Sequence, residues 1–351
     1  MDKPFLAKLR RIDPYVPGEQ PQSDDIIKLN ANENPYPPAP GVQETLRTFD
    51  ASRLALYPDA NGKALKNALA NRFGVKPPQV FLGNGSDDVL ALAFQSFFCS
   101  EQPILYPDIT YSFYPVWCDL FRIPYETVPL DENFCVNVRD YDKPNGGIVL
   151  PNPNAPTGRG VSLDFLEDLL QHNADCVVII DEAYVDFGAQ SAVPLLSKYE
   201  NLLVVQTMSK SRSLAGLRIG YALGSETLIA TLEAVKNSYN SYTMDALALA
   251  AGEAAVKDEA YFQATCRKVI ATRDRTAEEL RALGFAVQPS LTNFLFVTHP
   301  AKKAPEIFEY LRQKKIFIRY FKLPRIDNYL RITVGTDEQM DRMIDALRAF
   351  L

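Results

Sequence analysis

Residues 176–184 read Cys-Val-Val-Ile-Ile-Asp-Glu-Ala-Tyr, five apolar side chains followed at once by two carboxylates. A short apolar run without polar alternation is typical of a strand that is covered on both faces of a sheet. Similar runs occupy residues 80–82, 103–106, 147–150 and 202–205. Because helical patterns separate these runs, they predict an α/β fold with a mostly parallel sheet between helices.

The chain of 351 residues is long enough for about two domains. Residues 41–250 contain the apolar runs and form the predicted large domain. Residues 251–351 form a predicted smaller α+β domain, and the Pro- and Asn-rich residues 1–40 an arm that packs with it. The predicted helices are residues 62–73, 87–99, 163–172, 227–257 and 259–283, and the predicted C-terminal strands are residues 285–287, 293–297, 317–319 and 329–334.

The composition limits the possible function classes. The net charge is −6 and basic residues do not cluster, so nothing points to a nucleic-acid partner. We find no apolar segment of membrane-spanning or signal-peptide length. Five widely spaced cysteines fit reduced thiols in the cytoplasm better than disulfides. With only two histidines, His172 and His299, we expect no metal site.

Four unusual loops follow predicted strands, at residues 83–88, 151–158, 181–184 and 209–221. In open α/β sheets, ligands bind beyond the carboxyl ends of the strands. The first loop is Gly-rich and opens a helix, which suits an anion. The second is rich in Pro and Asn, the third places two carboxylates at a strand end, and the fourth contains one lysine among hydroxyls. Taken singly, each also fits a turn, a cap or a structural ion pair.

Together, the four loops occur in the order seen in fold-type I pyridoxal-phosphate enzymes, which the chain resembles over essentially its whole length. Pro-Tyr-Val-Pro-Gly at 14–18 and Leu-Asn-Ala-Asn-Glu-Asn-Pro at 29–35 are the most family-specific stretches. With Leu-Tyr-Pro-Asp at 56–59 and the loops at 181–184 and 209–221, they resemble the histidinol-phosphate aminotransferases. The resemblance implies a seven-stranded, mostly parallel sheet, a homodimer, and pyridoxal 5'-phosphate as cofactor.

The resemblance also implies three catalytic residues. Lys210 would hold the cofactor aldehyde as a Schiff base, which a lysine can form once it gives up its proton. The released amine would then move the proton of the substrate's α-carbon. Asp181 would pair with the pyridine nitrogen, and Tyr184 would bond the ring hydroxyl.

By the same resemblance, Gly85 and the N–H groups of Ser86 and Asp87, with the Ser86 hydroxyl, would bind the cofactor phosphate. Ser209 and Arg218 would complete this site, since a guanidinium engages phosphate with two parallel hydrogen bonds.

Three further cofactor contacts are implied. Tyr111 would lie against one face of the ring, although a core aromatic would look the same. In much of the wider family an Asn precedes Pro-Thr-Gly, but here that position is Ala155, so Asn154 is the candidate amide. Tyr57 would reach across a homodimer to the cofactor phosphate of the other subunit.

For the substrate, Arg331 matches the arginine that binds the α-carboxylate in the wider family, and Arg319 and Tyr15 are candidates for a phosphate ester. The implied reaction moves the amino group of L-histidinol phosphate to 2-oxoglutarate, giving imidazole-acetol phosphate and L-glutamate in histidine biosynthesis. The alternatives are an aromatic amino-acid aminotransferase and a decarboxylase of a phosphorylated amino acid. A ligand-sensing regulator is disfavoured because no residues remain for a DNA-binding module.

Overall fold

A computed structural model describes residues 3–16, 18–21 and 25–351. In these residues the helices are α1 (Pro40–Arg47), α2 (Lys63–Phe73), α3 (Ser86–Phe97), α4 (Phe113–Phe121), α5 (Leu163–His172), α6 (Glu226–Tyr239), α7 (Ala246–Lys257), α8 (Glu259–Ala282), α9 (Ala304–Gln313) and α10 (Asp337–Phe350). The strands are β1 (Ile27–Lys28), β2 (Val80–Asn84), β3 (Ile104–Pro107), β4 (Tyr125–Val128), β5 (Gly147–Pro151), β6 (Val178–Asp181), β7 (Leu202–Thr207), β8 (Ile219–Gly224), β9 (Ala286–Val287), β10 (Phe294–Thr298), β11 (Ile316–Phe317), β12 (Arg319–Tyr320) and β13 (Leu330–Thr333).

Seven strands form the central sheet in the order β2-β8-β7-β6-β5-β3-β4. Only β8 runs against its neighbours β2 and β7, so the predicted mostly parallel sheet is confirmed. Every residue of β6 is buried because Val178 and Ile180 pack into the core on one face and Ile179 into the core on the other. Helices cover both faces, which explains why these strands lack polar alternation.

Two strands of this sheet, β4 and β8, were not predicted from the apolar runs of the sequence. Strand β4 lies at the sheet edge and is largely exposed. Strand β8 is buried but contains two glycines, which weaken a strand pattern. Gly220 is needed there because a Cβ atom would lie 2.3 Å from the backbone of Gly85 and Ser86. Strand β8 and the Gly-rich loop at residues 83–88 are therefore in direct contact at this position.

A second sheet, in the order β12-β13-β10-β9, lies in the C-terminal region, where all three pairings are antiparallel. Its core includes Leu295, Ile332 and Met343, together with Ile27 and Leu29 of the predicted arm. Strand β1 pairs in parallel with β11, which ties that arm to this region. Helix α7 spans the predicted boundary at residue 250, and the domain limits stay predictions.

The predicted helix over residues 227–257 is wrong, because it is two helices, α6 and α7. Asn240 leaves the helix with an extended backbone, and Asp245 caps α7 by accepting a hydrogen bond from the Ala248 N–H. Side chains such as Asn and Asp favour caps because they bond to free backbone groups. The break exposes Tyr242, which stacks on Tyr57 at 4.6 Å between ring centres.

In the described residues, the helices are too short or too polar to span a bilayer. Position 17 of the Pro-Tyr-Val-Pro-Gly stretch lies outside the described residues, as do positions 22–24.

Candidate active site

The carboxyl ends of β5, β6 and β7 meet at one edge of the central sheet, and the second sheet closes the space above them. A cavity of about 230 Å³ lies there. Most of the predicted site residues line it: Tyr15, Ser86, Asp87, Tyr111, Asp181, Tyr184, Ser209, Lys210, Arg218, Arg319 and Arg331. Residues from both ends of the chain thus share one cavity.

Five residues from the loops at 83–88 and 209–221 lie close together at the cavity, and we call Gly85, Ser86, Asp87, Ser209 and Arg218 the anion cup. Gly85 has φ +87° and precedes α3, so the free N–H groups of that helix face the cup. A Cβ atom on Gly85 would lie 2.4 Å from Arg218 Nη2. Arg218 Nη1 also donates to Ser209 Oγ at 3.4 Å. Backbone, hydroxyl and guanidinium donors therefore converge on one point.

The Asp87 side chain accepts hydrogen bonds from two neighbouring side chains of the site. Its Oδ2 accepts from Arg218 Nη2 at 3.0 Å, and its Oδ1 accepts from the Tyr111 hydroxyl at 2.8 Å. Burial, and then the Asp87 charge, raise the pKa of Tyr111 above its ordinary value. Asp87 thus holds both the guanidinium and the aromatic ring in place.

Asp181 is the last residue of β6 and is buried. Its Oδ2 accepts from the Tyr114 hydroxyl at 2.7 Å, and its Oδ1 from the Ala183 N–H at 3.2 Å. Both partners are neutral. Burial raises the pKa of this carboxyl to about 6, and the Tyr114 hydrogen bond only partly offsets it. Such a carboxylate would gain from a cationic partner in the cavity. Tyr114 was not predicted as a site residue. It lies among other aromatic residues in the sequence, and nothing there distinguishes it from a core aromatic.

Lys210 follows β7, and its Nζ donates to the Ala31 carbonyl at 3.2 Å. The ammonium also lies 5.8 Å from the centre of the Tyr184 ring. Asn34 Nδ2 donates to the Lys210 carbonyl at 2.9 Å, which holds the loop itself. The lysine therefore sits between the sheet edge and the predicted arm.

Tyr184 accepts a hydrogen bond from Asn32 Nδ2 at 2.9 Å. Asn32 was not predicted as a site residue, although it lies within the 29–35 motif. It has φ +56°, a left-handed conformation that Asn tolerates better than most residues. Its position within that motif is the sequence signal that could have identified Asn32 as a site residue.

The candidate Asn154 does not line the cavity, whereas Ala155 does. Asn154 Nδ2 donates to the Ile109 carbonyl at 2.8 Å and to Thr157 Oγ1 at 3.0 Å. Its Oδ1 accepts from the Thr110 hydroxyl at 3.0 Å. Both amide hydrogens are used in bonds to the protein, one to the loop itself and one to the segment after β3, so the geometry gives no support to the predicted ring contact.

The cavity is also lined by Arg319 and Arg331, which are partners across β12 and β13. Arg331 Nη2 donates to the Asn30 carbonyl at 3.1 Å, while its buried Nε has no hydrogen-bond partner among the described residues. Burial and the nearby Arg319 charge lower the pKa of Arg331. Tyr15, which also lines the cavity, stacks on Phe113 at 4.3 Å. This part of the cavity therefore combines cationic side chains with aromatic rings.

Tyr57 does not line the cavity and is 81% exposed. Its predicted role in a second subunit stays a prediction.

Comparison with known proteins agrees with this geometry. Residues 24–347 match the model of the family described as aminotransferase class I and II. The chain is 55% identical to histidinol-phosphate aminotransferase 2 of Dechloromonas aromatica, over 99% of both chains, and 53% identical to the histidinol-phosphate aminotransferase of Acinetobacter baylyi, over 99% of this chain and 97% of that one.

Among solved structures, the Sinorhizobium meliloti histidinol-phosphate aminotransferase in complex with pyridoxal-5'-phosphate superposes with a TM-score of 0.83 at 25% identity, over 93% and 92% of the two chains. L-threonine-O-3-phosphate decarboxylase from Porphyromonas gingivalis, at 22% identity and a TM-score of 0.80 over 93% and 99%, shares the fold alone. The chain belongs to the class I and II aminotransferases.

Proposed function

We propose that this chain uses pyridoxal 5'-phosphate to move the amino group of L-histidinol phosphate to 2-oxoglutarate, which gives imidazole-acetol phosphate and L-glutamate in histidine biosynthesis. The observation that carries the proposal is one cavity lined by Lys210, by four residues of the anion cup, and by Arg319 and Arg331. A phosphorylated cofactor and an anionic substrate would fill this cavity together. The names of the relatives support the same reaction.

The cavity fits the cofactor in its chemistry. The anion cup matches a phosphate, the buried Asp181 carboxylate lacks a cationic partner among its hydrogen bonds, and Lys210 offers an amine. When bound, pyridoxal phosphate supplies an aldehyde that reacts with amines and a ring that accepts electrons from the substrate's α-carbon.

Each catalytic side chain then has one task. Lys210 Nζ would bind the aldehyde and, once displaced by the substrate amine, move the proton that leaves the α-carbon. Asp181 would keep a proton on the ring nitrogen by its negative charge. Tyr184 would donate its hydroxyl hydrogen to the ring oxygen. Tyr111 would orient the ring from one face.

For the substrate, Arg331 and Arg319 would bind the phosphate ester of histidinol phosphate and the carboxylate of glutamate in turn. Both anions present paired oxygens to a guanidinium. A dianionic phosphate benefits from two cations, and Tyr15 would close the pocket by a hydroxyl hydrogen bond.

We also propose that the enzyme is a cytoplasmic homodimer. Tyr57, Leu56 and Tyr239 are large and highly exposed, which suits a covered interface. Cys118 and Cys266 are buried as free thiols, as expected in a reducing compartment.

A second candidate is an aromatic amino-acid aminotransferase. The stack of Tyr15 on Phe113, and of Phe113 on Trp117 at 5.0 Å, offers an aromatic wall that would also suit a phenylalanine side chain.

A panel of amino donors with 2-oxoglutarate tests the proposal by glutamate formation. L-Histidinol phosphate, its dephosphorylated form, phenylalanine and tyrosine are compared at kcat/KM. We expect histidinol phosphate to be the best donor and loss of its phosphate to reduce kcat/KM by at least about 10-fold, the effect of one charge-assisted contact. A better rate with phenylalanine or tyrosine would favour the second candidate. Glutamate from none of the donors would refute both.

A further inference from the structure

Every polar group of Asn32 makes a hydrogen bond within the protein. Its N–H donates to Thr333 Oγ1 and its Oδ1 accepts from that same hydroxyl, both at 3.0 Å. Its carbonyl accepts from Asn293 Nδ2 at 2.9 Å. The remaining group, Nδ2, donates to Tyr184 Oη at 2.9 Å. Asn32 is 1% exposed, so these bonds form away from bulk solvent.

These contacts determine the direction of the Tyr184 hydroxyl. A hydroxyl has one hydrogen to donate and lone pairs to accept with. Since Thr333 donates to Oδ1, the Asn32 amide is oriented with its nitrogen toward Tyr184. The phenol oxygen therefore accepts from Asn32, and its own hydrogen remains free to point into the cavity that Tyr184 lines.

We infer that Asn32 is a positioning residue for Tyr184, which it holds ready to donate into the cavity. The inference rests on the proposed function, because the receiving group would be the ring oxygen of bound pyridoxal phosphate. Asn32 also lines the cavity, but its amide hydrogen bonds to Tyr184, so it acts through that residue. Thr333 in β13 sets the Asn32 amide, so the second sheet takes part in orienting a residue of the loop that follows β6 in the first.

The backbone contacts of Asn32 do not need this side chain. At φ +56° a glycine satisfies the backbone without strain, and it keeps the N–H and the carbonyl contacts. The Asn32 side chain adds the bond from the Thr333 hydroxyl, which orients the amide, and the bond to Tyr184. The neighbouring Ala31 carbonyl accepts from Lys210 Nζ, so the same short segment contacts two groups of the active site.

The test is a pH titration of the absorption of bound cofactor in the holoenzyme, with the cofactor dissociation constant measured beside it. Asn32→Gly should move the spectral midpoint in the same direction as Tyr184→Phe, by about 0.5 to 1 pH unit, the size expected for one hydrogen bond. The double variant should show no shift beyond that of Tyr184→Phe, because both changes act on the same interaction of the Tyr184 hydroxyl. Additive shifts, or an unchanged midpoint in Asn32→Gly with cofactor bound, would overturn the inference.

A second pair of variants works even where Asn32→Gly folds poorly. Thr333→Val keeps the shape but removes the hydroxyl that orients the amide, and it should move the midpoint in that same direction. Thr333→Ser keeps the hydroxyl and should leave the midpoint at the native value. Equal midpoints in Thr333→Val and the native enzyme would count against the inference. A native protein that binds no pyridoxal phosphate would instead refute the proposed function, and this inference with it.

Discussion

Arg319 and Arg331 are directly opposed on the antiparallel strands β12 and β13, with both side chains at the cavity. Like charges at such positions destabilise a sheet unless an anion lies between them. The Arg331 guanidinium lies 5.3 Å from the centre of the Phe294 ring, which packs it without neutralising its charge. The pair is therefore best explained by a ligand with more than one negative charge.

Removal of Arg319 should separate the two substrates. We expect Arg319→Ala to lower kcat/KM for histidinol phosphate by about 10- to 100-fold, the range for a charged hydrogen bond, and to affect glutamate less. Arg331→Lys should lower kcat/KM for both donors, since an ammonium cannot form the two parallel hydrogen bonds of a guanidinium. Single-turnover half-reactions with each donor measure this, and Arg348→Ala on α10 is the control. Equal losses for both donors in Arg319→Ala would refute its phosphate-specific role.

Lys210 should be the residue that binds the cofactor covalently. Borohydride treatment of the native protein should fix the cofactor to a Lys210-containing peptide, which mass spectrometry identifies. Lys210→Ala should bind cofactor reversibly and lose turnover. Lys236 is the matched control: it is buried but bonded to Glu233, and its substitution should leave the adduct at residue 210. An adduct mapped to another lysine would contradict the assignment.

Asp181 should make the cofactor-free protein less stable as pH rises. Burial raises the pKa of its carboxyl to about 6, so the group is neutral in the folded state at pH 5 and ionised at pH 8. The unfolded chain ionises near pH 4, and stability is therefore lost between about pH 4 and 6. Asp181→Asn should raise the Tm of cofactor-free protein at pH 8, by less at pH 5, and not at pH 3.5, where the carboxyl is largely neutral in both states.

The same substitution should have the opposite effect on the loaded enzyme. Without the carboxylate charge, Asp181→Asn should weaken cofactor binding and lower turnover by at least about 100-fold. Turnover that is unchanged at saturating cofactor would exclude Asp181 from the proposed role.

Gly85→Ala should disable the anion cup. The added Cβ would lie 2.4 Å from Arg218 Nη2, and φ is +87°. Gly74→Ala is a matched control, since Gly74 also has positive φ, +67°, but open space around it. Gly74→Ala should lose about 1 kcal/mol of stability from left-handed strain, and Gly85→Ala, whose ψ of 162° is nearly restricted to glycine, about 1 to 3 kcal/mol. Only Gly85→Ala should raise the cofactor dissociation constant by 10-fold or more, and similar constants in the two variants would argue against the cup.

Tyr57 should act in the other subunit of the proposed dimer. Tyr57→Phe should weaken cofactor binding about 10-fold, the loss of one hydrogen bond. Tyr239→Phe, a change at another highly exposed tyrosine, should have no effect.

Mixed dimers then test the direction of the contact. Where Tyr57→Phe chains are inactive, combining them with Lys210→Ala chains should restore part of the activity, because one site has both native residues. Sedimentation confirms assembly, and a fully active monomer or mixed dimers without recovery would oppose the proposal.

Local chemistry was enough to predict much of this protein from its sequence. Apolar runs such as residues 176–180 predict buried parallel strands, since each face of the strand must be covered. Ligand residues at strand ends, Asp181 and Lys210 among them, follow from the rule that binding loops gather at one edge of such a sheet. Both lie in the cavity.

The remaining features depend on contacts between residues far apart in the chain. Asn32 reaches Tyr184 and Thr333 only because β13 lies beside the arm, and Asn154 loses its free amide hydrogens to Ile109 and Thr157. The break after α6 has a different cause, a local cap at Asp245 that an Ala-rich pattern hides. A hydrogen bond is directional, and it forms only where the fold brings donor and acceptor together. The sequence alone therefore determined which residue types face the ligand, and the tertiary structure decided which atoms remain free to bind it.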